Sequence, residues 1–217
     1  QKHDERDIMF SRNELKPQSD QYKLYYDNNK DKKELDDKFR EKPGLLSNKA
    51  SMYQPFSFAS AHANLEVIEA LKPLVDGAIS EQKVDVNPTK ITTYVKTWAK
   101  QLGAHSIGVT KLKDAHIYSV KGRGDLYGKK IINEHSYAIA LTIEMDHEMM
   151  QTAPKGPVVM ESTQQYLSSG TIALQIAYFI RKLGYSAKAH IDGNYEVICP
   201  LVARDRKSTR LNSSHYS

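Results

Sequence analysis

The stretch that decides the fold runs from Asn87 to Leu112 and reads NPTKITTYVKTWAKQLGAHSIGVTKL. Its first half places apolar residues at helical spacing, with Asn87 as the N-cap, Pro88 in the first turn and Gly103 at the C-terminal cap. The pattern changes at Ser106 to a short apolar run that predicts a strand. A helix that leads through a tight turn into a strand indicates an α/β layer arrangement.

Helix and strand patterns alternate through the rest of the chain, and together they predict an α+β fold. The apolar run over 137–143 is typical of a buried strand. Gly184 closes the longest helical pattern, and Arg181 and Lys182 suit its last turn because cations interact favourably with a helix C-terminus. The other predicted elements are a helix over 65–79, a helix over 159–183, a strand over 185–191, a hairpin-type turn over 192–194, and a strand or strand plus turn over 196–203.

Residues 1–64 are polar, rich in tyrosine and weakly periodic. Short helices are expected over 20–26 and 31–40, with prolines between them. We interpret this segment as an extended arm that lies across another surface; a disordered leader is the alternative, because its charge is high and its aliphatic content low. The predicted division of the chain is an arm over 1–64, a partial domain over 65–204 and a tail over 205–217.

The end of the chain reads DRKSTRLNSSH over 205–215 and resembles the in-frame translation of a short-read sequencing adapter. We therefore expect the natural reading frame to stop near Arg204, and we expect residues 206–217 to pack poorly and carry no function. The net charge is +5, and the tail contributes three cations against Asp205, or +2, which leaves about +3 for the rest. That charge does not favour a nucleic-acid partner. Because residue 1 is Gln1 and not methionine, the compartment stays open.

The chain has a single cysteine, Cys199. One cysteine excludes an internal disulfide framework and a metal centre ligated by several cysteines within this sequence. Cys199 lies in an apolar run, so we interpret it as an inert core residue. No apolar run reaches the length of a membrane span.

The first candidate site is the connection over 116–124, where two glycines accompany His116, Tyr118, Ser119, Lys121 and Arg123. Backbone amides at glycine and guanidinium donors suit a phosphate or another anionic group. The spacing matches no standard phosphate loop, and composition alone favours the alternative, a solvated basic loop.

A second candidate is the acidic cluster over 144–148, which contains His147 and follows a predicted buried strand. Ligands bind at strand ends in α/β proteins, and an imidazole in a pocket could donate a proton. Neighbouring strand residues point to opposite faces, however, so the cluster does not converge as metal ligands must, and a polar loop is the favoured alternative.

The third candidate surrounds the predicted turn at 192–194. It brings His190, Asp192, Asn194 and Tyr195 near one another, and a tyrosine or a neutral aspartic acid can act as a general acid when its surroundings tune its pKa. Turn chemistry alone also explains Asp192 and Asn194, so a purely structural turn remains the alternative.

Several strings, in this order and spacing, resemble the amino-terminal part of reductive dehalogenase-like proteins, which are relatives of epoxyqueuosine reductase. The strings are RDIMFSR at 6–12, LGA with GVTKL at 102–112, HIYS at 116–119, YAIA with EMD at 137–146, and RKLGY through AR at 181–204. The resemblance covers most of residues 1–204, and the long amino-terminal segment resembles the dehalogenase branch more than the queuosine branch.

The resemblance implies a nitroreductase-like α/β sandwich, truncated here, that binds a base-off cobalamin (corrinoid). It also implies two 4Fe–4S clusters in a following ferredoxin-like part that this chain lacks. The implied substrate is a small organohalide or related molecule, and the implied electron donor is a ferredoxin, a quinol chain or a membrane anchor protein. The protein would then be cytoplasmic or associated with the outer face of the cytoplasmic membrane.

The resemblance also implies roles for particular residues. Tyr195 and Asp192 lie where a proton donor is expected, and His147 lies where relatives often carry a tyrosine acid. The implied corrinoid contacts are His116, Tyr118, Ser119, His190 and Asn194. After Arg204 the family continues with a glycine-rich segment that contacts the corrinoid, and the adapter-like tail stands in its place.

We therefore expect this 217-residue chain to be a piece of a cobalamin-dependent reductive dehalogenase that is inactive by itself. Two alternatives remain open. One is a cobalamin-binding or trafficking module without reductase activity, and the other is a nitroreductase-like flavin domain.

Overall fold

The structure is a computed structural model, and it describes residues 2–205. In this range the chain forms α1 (Met9–Glu14), α2 (Asp20–Asn28), α3 (Lys30–Arg40), α4 (Pro55–Leu71), α5 (Pro88–Gln101), β1 (Ser106–Lys111), β2 (Tyr137–Thr142), α6 (His147–Gln151), α7 (Gly156–Lys182) and α8 (Cys199–Asp205). Short 3₁₀ helices occur at Glu5–Asp7, Lys72–Leu74, Asp114–His116 and Gly124–Leu126.

The predicted helix–strand unit is confirmed as α5 followed by β1. The Asn87 side chain accepts hydrogen bonds from the backbone N–H groups of Thr89 and Lys90, at 3.1 and 3.0 Å. Gly103 ends the helix with a φ of +109°, a backbone conformation that glycine adopts without steric cost. These local interactions turn the chain directly from α5 into the sheet.

Strands β1 and β2 pair antiparallel, from Ser106 opposite Thr142 to Lys111 opposite Tyr137. Because side chains alternate along a strand, Ile139 and Leu141 pack toward α5 and α7, whereas Ala138 and Ala140 pack toward the cluster that includes α8. The sheet thus has helices on both faces. Within residues 2–205 the strands number two, so the larger nitroreductase-like sandwich stays a prediction.

Helix α7 is the central element, and it closely matches the helix predicted over 159–183. Ile172 and Ile176 pack against α5, while Leu174 and Ala177 pack against Ile68 of α4. Full burial of an aliphatic side chain stabilises the fold by about 1.5–3 kcal/mol. Helix α7 therefore joins two parts of the core and holds α4, α5 and the sheet in place.

The strand predicted over 185–191 is wrong. This segment runs along α7 and the chain after α4, and its polar groups pair with those elements. The Ala189 N–H donates to the Val75 carbonyl at 2.8 Å, and the Arg181 guanidinium donates to the Ala187 carbonyl at 2.9 Å. The strand pattern reflected burial, because these apolar side chains pack on α4 and α7 without a partner strand. The tight turn predicted at 192–194 is confirmed, with Gly193 at φ +70°.

The strand predicted over 196–203 is also wrong beyond Val197, which forms a single bridge to Ile117. Helix α8 begins at Cys199, and Pro200 occupies its first turn. Proline fits the first turn of a helix but removes a hydrogen bond from a strand, so Pro200 was the sequence feature that distinguished the two.

The amino-terminal part differs from the predicted extended arm, because much of residues 9–40 is helical. The short helices expected over 20–26 and 31–40 are confirmed as α2 and α3. Their tyrosines Tyr22, Tyr25 and Tyr26 are buried together, and each hydroxyl donates to an aspartate. This part of the chain therefore has a small core of its own.

Two further sequence predictions concern the ends of elements. The helix predicted from residue 65 begins earlier, at Pro55, and so crosses the predicted boundary at 64. Asp205, the first residue of the predicted tail, ends α8, whereas residues 206–217 lie outside the described residues.

No helix between residues 2 and 205 is both long and apolar enough to span a bilayer.

Candidate functional site

Two of the three candidate clusters lie side by side. The connection over 116–124 runs next to residues 195–198, and the Tyr118 N–H donates to the Glu196 carbonyl at 3.0 Å. The Ile198 N–H donates to the His116 carbonyl at 2.8 Å. The fold thus brings the basic connection and the segment after the 192–194 turn into one cluster.

Tyr118, Tyr195 and Arg123 form the centre of this cluster. The guanidinium carbon of Arg123 lies 5.1 Å from the centroid of the Tyr195 ring, which is cation–π geometry. Burial raises the pKa of Tyr118 to about 12, with a smaller contribution from Tyr195. Burial also raises the pKa of Tyr195, although the charge of Arg123 acts against it. Both phenols therefore hold their protons at neutral pH.

The amino-terminal segment holds Arg123 in place. Glu5 lies 3.5 Å and Glu14 3.6 Å from Arg123 guanidinium nitrogens. The buried Glu5 carboxylate also accepts a 2.7 Å hydrogen bond from the Gly122 N–H. Within the described residues, Nε and Nη2 of Arg123 are buried and make no hydrogen bond. Arg123 therefore has ionic partners in the amino-terminal segment, and two of its nitrogens make no hydrogen bond within the described residues.

A second set of charged side chains, formed by one carboxylate and two lysines, lies near the two tyrosines. Lys188 donates to Glu196 at 2.8 Å, and Lys121 lies 3.7 Å from the same carboxylate. Burial lowers the pKa of Lys121, against the charge of Glu196. Burial by itself raises the pKa of Glu196, but the Lys188 hydrogen bond and the nearby cations bring the net value below its usual range. Glu196 is therefore ionised at neutral pH and anchors both lysines.

The turn residues have distinct surroundings. His190 Nδ1 accepts a 3.3 Å hydrogen bond from the Glu196 N–H, and burial lowers the pKa of His190 to about 4. The imidazole is consequently neutral at pH 7. The Asn194 N–H donates to the Ile191 carbonyl at 3.0 Å and closes the turn. The negative charge of Asp192 contributes to the raised pKa of Tyr195.

His116 and Ser119 have their polar atoms engaged inside the chain. His116 Nδ1 accepts from the Lys113 N–H at 3.2 Å, and its Nε2 lies 3.1 Å from the Asp205 carboxylate. The hydroxyl of Ser119 donates to the His3 carbonyl at 3.1 Å. Neither side chain offers an uncommitted group to a ligand in this arrangement.

His147 lies apart from the other candidates. It begins α6, is exposed, and its Nε2 lies 2.7 Å from Nε2 of Gln151. It follows the Thr142 end of β2, whereas the connection over 116–124 follows the Lys111 end of β1, which pairs with Tyr137. These ends of the sheet are roughly 17 Å apart along the strands. The structure therefore does not bring His147 to Tyr195.

Sequence reasoning missed Glu5, Glu14 and Lys188. All three come from segments that carry many charges, and nothing local distinguishes them from solvated residues. The nearest signal was Gly122, because a glycine in a connection often marks a close backbone approach. Here it marks the contact with Glu5.

A groove of about 400 Å³ opens beside Tyr118. Its lining comprises His3, Asp4, Asp7, Ile8, Tyr118, Ile198, Pro200 and Leu201. Cys199 is exposed at the start of α8, so its interpretation as a core residue is wrong: helix α8 turns its Val202 face, not Cys199, toward the core. No group of three histidine, cysteine, aspartate or glutamate side chains in residues 2–205 is arranged to hold a metal ion.

Comparison with known proteins gives fold neighbours only. No protein-family model matches the chain, and no curated protein matches it. Among solved structures, an amino-terminally tagged variant of the catabolic reductive dehalogenase NpRdhA is 25% identical with a TM-score of 0.55, over 64% of this chain and 20% of that one. A second structure, of amino-terminally tagged NpRdhA, is 24% identical to this chain with a TM-score of 0.56, and the match covers 75% of this chain and 25% of that one.

A third structure, a reductive dehalogenase described in terms of B12-dependent dehalogenation, matches with the same identity of 24%, TM-score of 0.56 and coverage of 75% and 25%. This chain therefore spans about a fifth to a quarter of the length of the solved proteins that it matches. The helices and two-stranded sheet of this chain correspond to part of the reductive dehalogenase fold.

Proposed function

We propose that this chain is part of a corrinoid-dependent reductase that removes halogen from a small organic substrate. The observation that carries the proposal is the fold shared with solved reductive dehalogenases, one of which is described as B12-dependent. Because the chain spans at most 25% of those proteins, the activity, the organohalide substrate and the electron donor are proposed for the whole protein.

The residues around Tyr195 fit one edge of a corrinoid. The buried Arg123 nitrogens without a hydrogen bond are donors that suit the carboxamide oxygens around such a ring. The turn residues Asp192 and Asn194 are only partly buried, so a ligand can approach them. A bound corrinoid supplies the low-valent cobalt chemistry that reduces a carbon–halogen bond.

In this proposal Tyr195 holds the proton that the reaction consumes. Burial keeps its phenol protonated, and Arg123 above the ring orients it and favours loss of the proton when charge develops nearby. Asp192 is the alternative donor. His190, Asn194 and Tyr118 are proposed corrinoid contacts, whereas His116 and Ser119 support the site through their internal hydrogen bonds.

Iron–sulfur clusters do not fit the described residues. A 4Fe–4S cluster needs four thiolate ligands, and the chain has one cysteine. We therefore place the two clusters in the remainder of the whole protein, where a ferredoxin, quinol chain or membrane anchor would deliver electrons. The direct consequence is that this chain by itself binds a corrinoid but does not turn over an organohalide.

The test is a titration of the full chain with hydroxocobalamin, followed by absorbance and calorimetry. We expect micromolar binding, a loss of at least about fivefold in affinity for Arg123→Gln because one hydrogen bond to the ligand is removed, and no change for Lys100→Gln on the exposed face of α5. Absence of binding refutes a corrinoid role for these residues. A yellow protein that retains flavin would instead favour a nitroreductase-like domain.

A second measurement separates binding from catalysis. Turnover of an organohalide by the isolated chain with cobalamin and a low-potential reductant would contradict the proposed dependence on clusters elsewhere. Binding without turnover agrees with the proposal. It also agrees with a corrinoid-trafficking module, which is the second candidate because such a module needs no iron–sulfur cluster and the chain has only one cysteine. Cysteine-rich cluster motifs elsewhere in the whole protein would distinguish the reductase from the module.

A further inference from the structure

Helix α4 has a second apolar face that is exposed in the described part of the chain. Its buried residues Phe58, Ala61 and Ile68 pack toward α7 and the rest of the core. On the opposite side an exposed stripe follows helical spacing and consists of Phe56, Ala59, Ala63, Val67 and Ala70. Phe56 is 90% exposed and Val67 is 47% exposed. A helix that is apolar on opposite sides is usually buried on both, so this surface, the α4 stripe, calls for a partner.

The sizes of the side chains on the α4 stripe mirror each other around Ala63. Phe56 and Ala70 lie seven residues before and after Ala63, and Ala59 and Val67 lie four residues before and after it. If the stripe meets an antiparallel copy of itself at Ala63, each large side chain therefore faces an alanine: Phe56 faces Ala70, and Val67 faces Ala59. Large side chains opposite small ones allow two helices to interdigitate closely.

The charges along α4 also suit such a pair. Its acidic residues are Glu66 and Glu69, and the residues at the mirror positions are both serines, Ser60 and Ser57. Carboxylates therefore do not oppose one another in the antiparallel arrangement, which avoids the cost of like charges at an interface. His62 precedes Glu66 by one turn on the same flank of the stripe. Each His62 then lies on the same side of the pair as Glu66 of the other copy, where an imidazole and a carboxylate attract each other.

We propose that the α4 stripe binds a second copy of this chain, and that the two α4 helices pack antiparallel about a two-fold axis at Ala63. Mirror symmetry of side-chain size is what a self-complementary interface requires, whereas docking of an unrelated segment does not need it. A helix of 17 residues is about 25 Å long, so one helix pair is a small interface and the expected dissociation constant is about 10–100 μM. The proposal goes beyond the corrinoid function and does not depend on it.

The experiment is analytical ultracentrifugation of the full chain, with the protein concentration raised from about 1 to about 300 μM. The wild type is expected to pass from monomer to dimer over this range. Ala63→Glu places two carboxylates against each other at the two-fold axis and is expected to abolish association. Thr93→Glu adds the same charge to the exposed face of α5 and is the matched control, which is expected to dimerise like the wild type.

Exchange of the large and small residues tests the register of the two helices. Phe56→Ala and Ala70→Phe are each expected to weaken dimerisation at least about tenfold, because symmetry applies each change twice. The double variant with both substitutions again places a large residue opposite an alanine, and it is expected to dimerise within about threefold of the wild type. Far-UV circular dichroism confirms that each variant is folded.

Three results would overturn the proposal. A wild type that stays monomeric at the highest concentration would leave the α4 stripe to another part of the whole protein. Persistent association of Ala63→Glu would place the dimer contact on another surface. A double variant that associates as weakly as the single variants would exclude the antiparallel register at Ala63. Failure of cobalamin to bind leaves this experiment unaffected, so the two proposals fail separately.

Discussion

Substitution of Gly122 by alanine tests whether the amino-terminal segment is an integral part of the site. A Cβ at residue 122 would lie 2.5 Å from the Glu5 carbonyl carbon, 2.6 Å from the Glu5 oxygen and 2.6 Å from Ser11 Oγ. Two of these atoms are backbone, so the contact cannot be relieved by a side-chain rotation. Gly122→Ala therefore forces residues 3–11 away from the connection.

The expected cost follows from the contacts that would be lost. Overpacking of a well-packed site costs about 1–3 kcal/mol, and the 2.7 Å hydrogen bond from Gly122 to the Glu5 carboxylate contributes about 1.5–3 kcal/mol because its acceptor is charged. We expect the free energy of unfolding to fall by about 2.5–6 kcal/mol. This is a large part of the roughly 5–15 kcal/mol that stabilises a typical domain.

The assay is urea unfolding followed by the fluorescence of Trp98, together with amide hydrogen exchange. Exchange at Ser119 and at residue 122 should accelerate, because these N–H groups donate to His3 and Glu5. Gly44→Ala is the matched control, since no atom lies within 4 Å of the position that an added Cβ would take and neither glycine has a left-handed backbone. It should be neutral or stabilise by up to about 1 kcal/mol.

The opposite result would be a free energy of unfolding for Gly122→Ala within about 0.5 kcal/mol of that for Gly44→Ala, with amide protection retained at residue 122. That result would mean that the amino-terminal segment does not pack on the connection as described. Loss of protection at Ser119 without a change in global stability would limit the contact to a local contribution.

Three further predictions concern the core and the turn. Arg181→Met should lower the free energy of unfolding by about 2–4 kcal/mol in urea, because the partly buried Leu74 and Ala187 carbonyls lose their Arg181 donor and the Val75 carbonyl keeps only the Ala189 N–H; Lys182→Met on the exposed face is the control. The pKa of His190 is lowered from 6.5 to about 4 in the folded state, so the unfolded chain binds a proton first as pH falls. The contribution of His190 to the free energy of unfolding should therefore be fully present above about pH 6.5 and decline toward pH 4. Urea midpoints measured at pH 7 and pH 5 should differ less in His190→Gln than in the wild type. An equal difference in the two proteins would contradict the burial of this imidazole. Asn87→Ala should cost about 1 kcal/mol in thermal unfolding, with Asn87→Asp close to wild type, and equal losses for both would exclude the capping role.

The elements that the sequence predicts correctly are those whose signals lie within the element itself. Helix α5 and its turn into β1 were predicted correctly because the cap at Asn87, the apolar stripe and Gly103 all lie within the unit itself. The strands predicted over 185–191 and 196–203 were wrong because the apolar residues of these segments are explained by burial and not by strand pairing. Pro200 was the one local clue against the second strand.

The candidate site was predicted in part for the same reason. The residues near 118 and 195 were recognised by type, but their proximity depends on the pairing of Tyr118 with Glu196 across the fold. His147 also had a suitable side chain, yet it follows the other end of the sheet. The roles of Tyr195, Asp192 and the proposed corrinoid contacts stay predictions.

The sequence by itself determined the elements whose signals are short-range: helix caps, apolar periodicity, the glycine turns and the limit that one cysteine sets on metal ligation. The tertiary structure decided which charges are buried. Glu5 is an ordinary acid in a polar segment, and it becomes a buried partner of Gly122 and Arg123 only when the amino-terminal segment crosses the connection. Such contacts join residues more than a hundred positions apart, so their energy depends on the whole fold and leaves no periodic pattern in the chain.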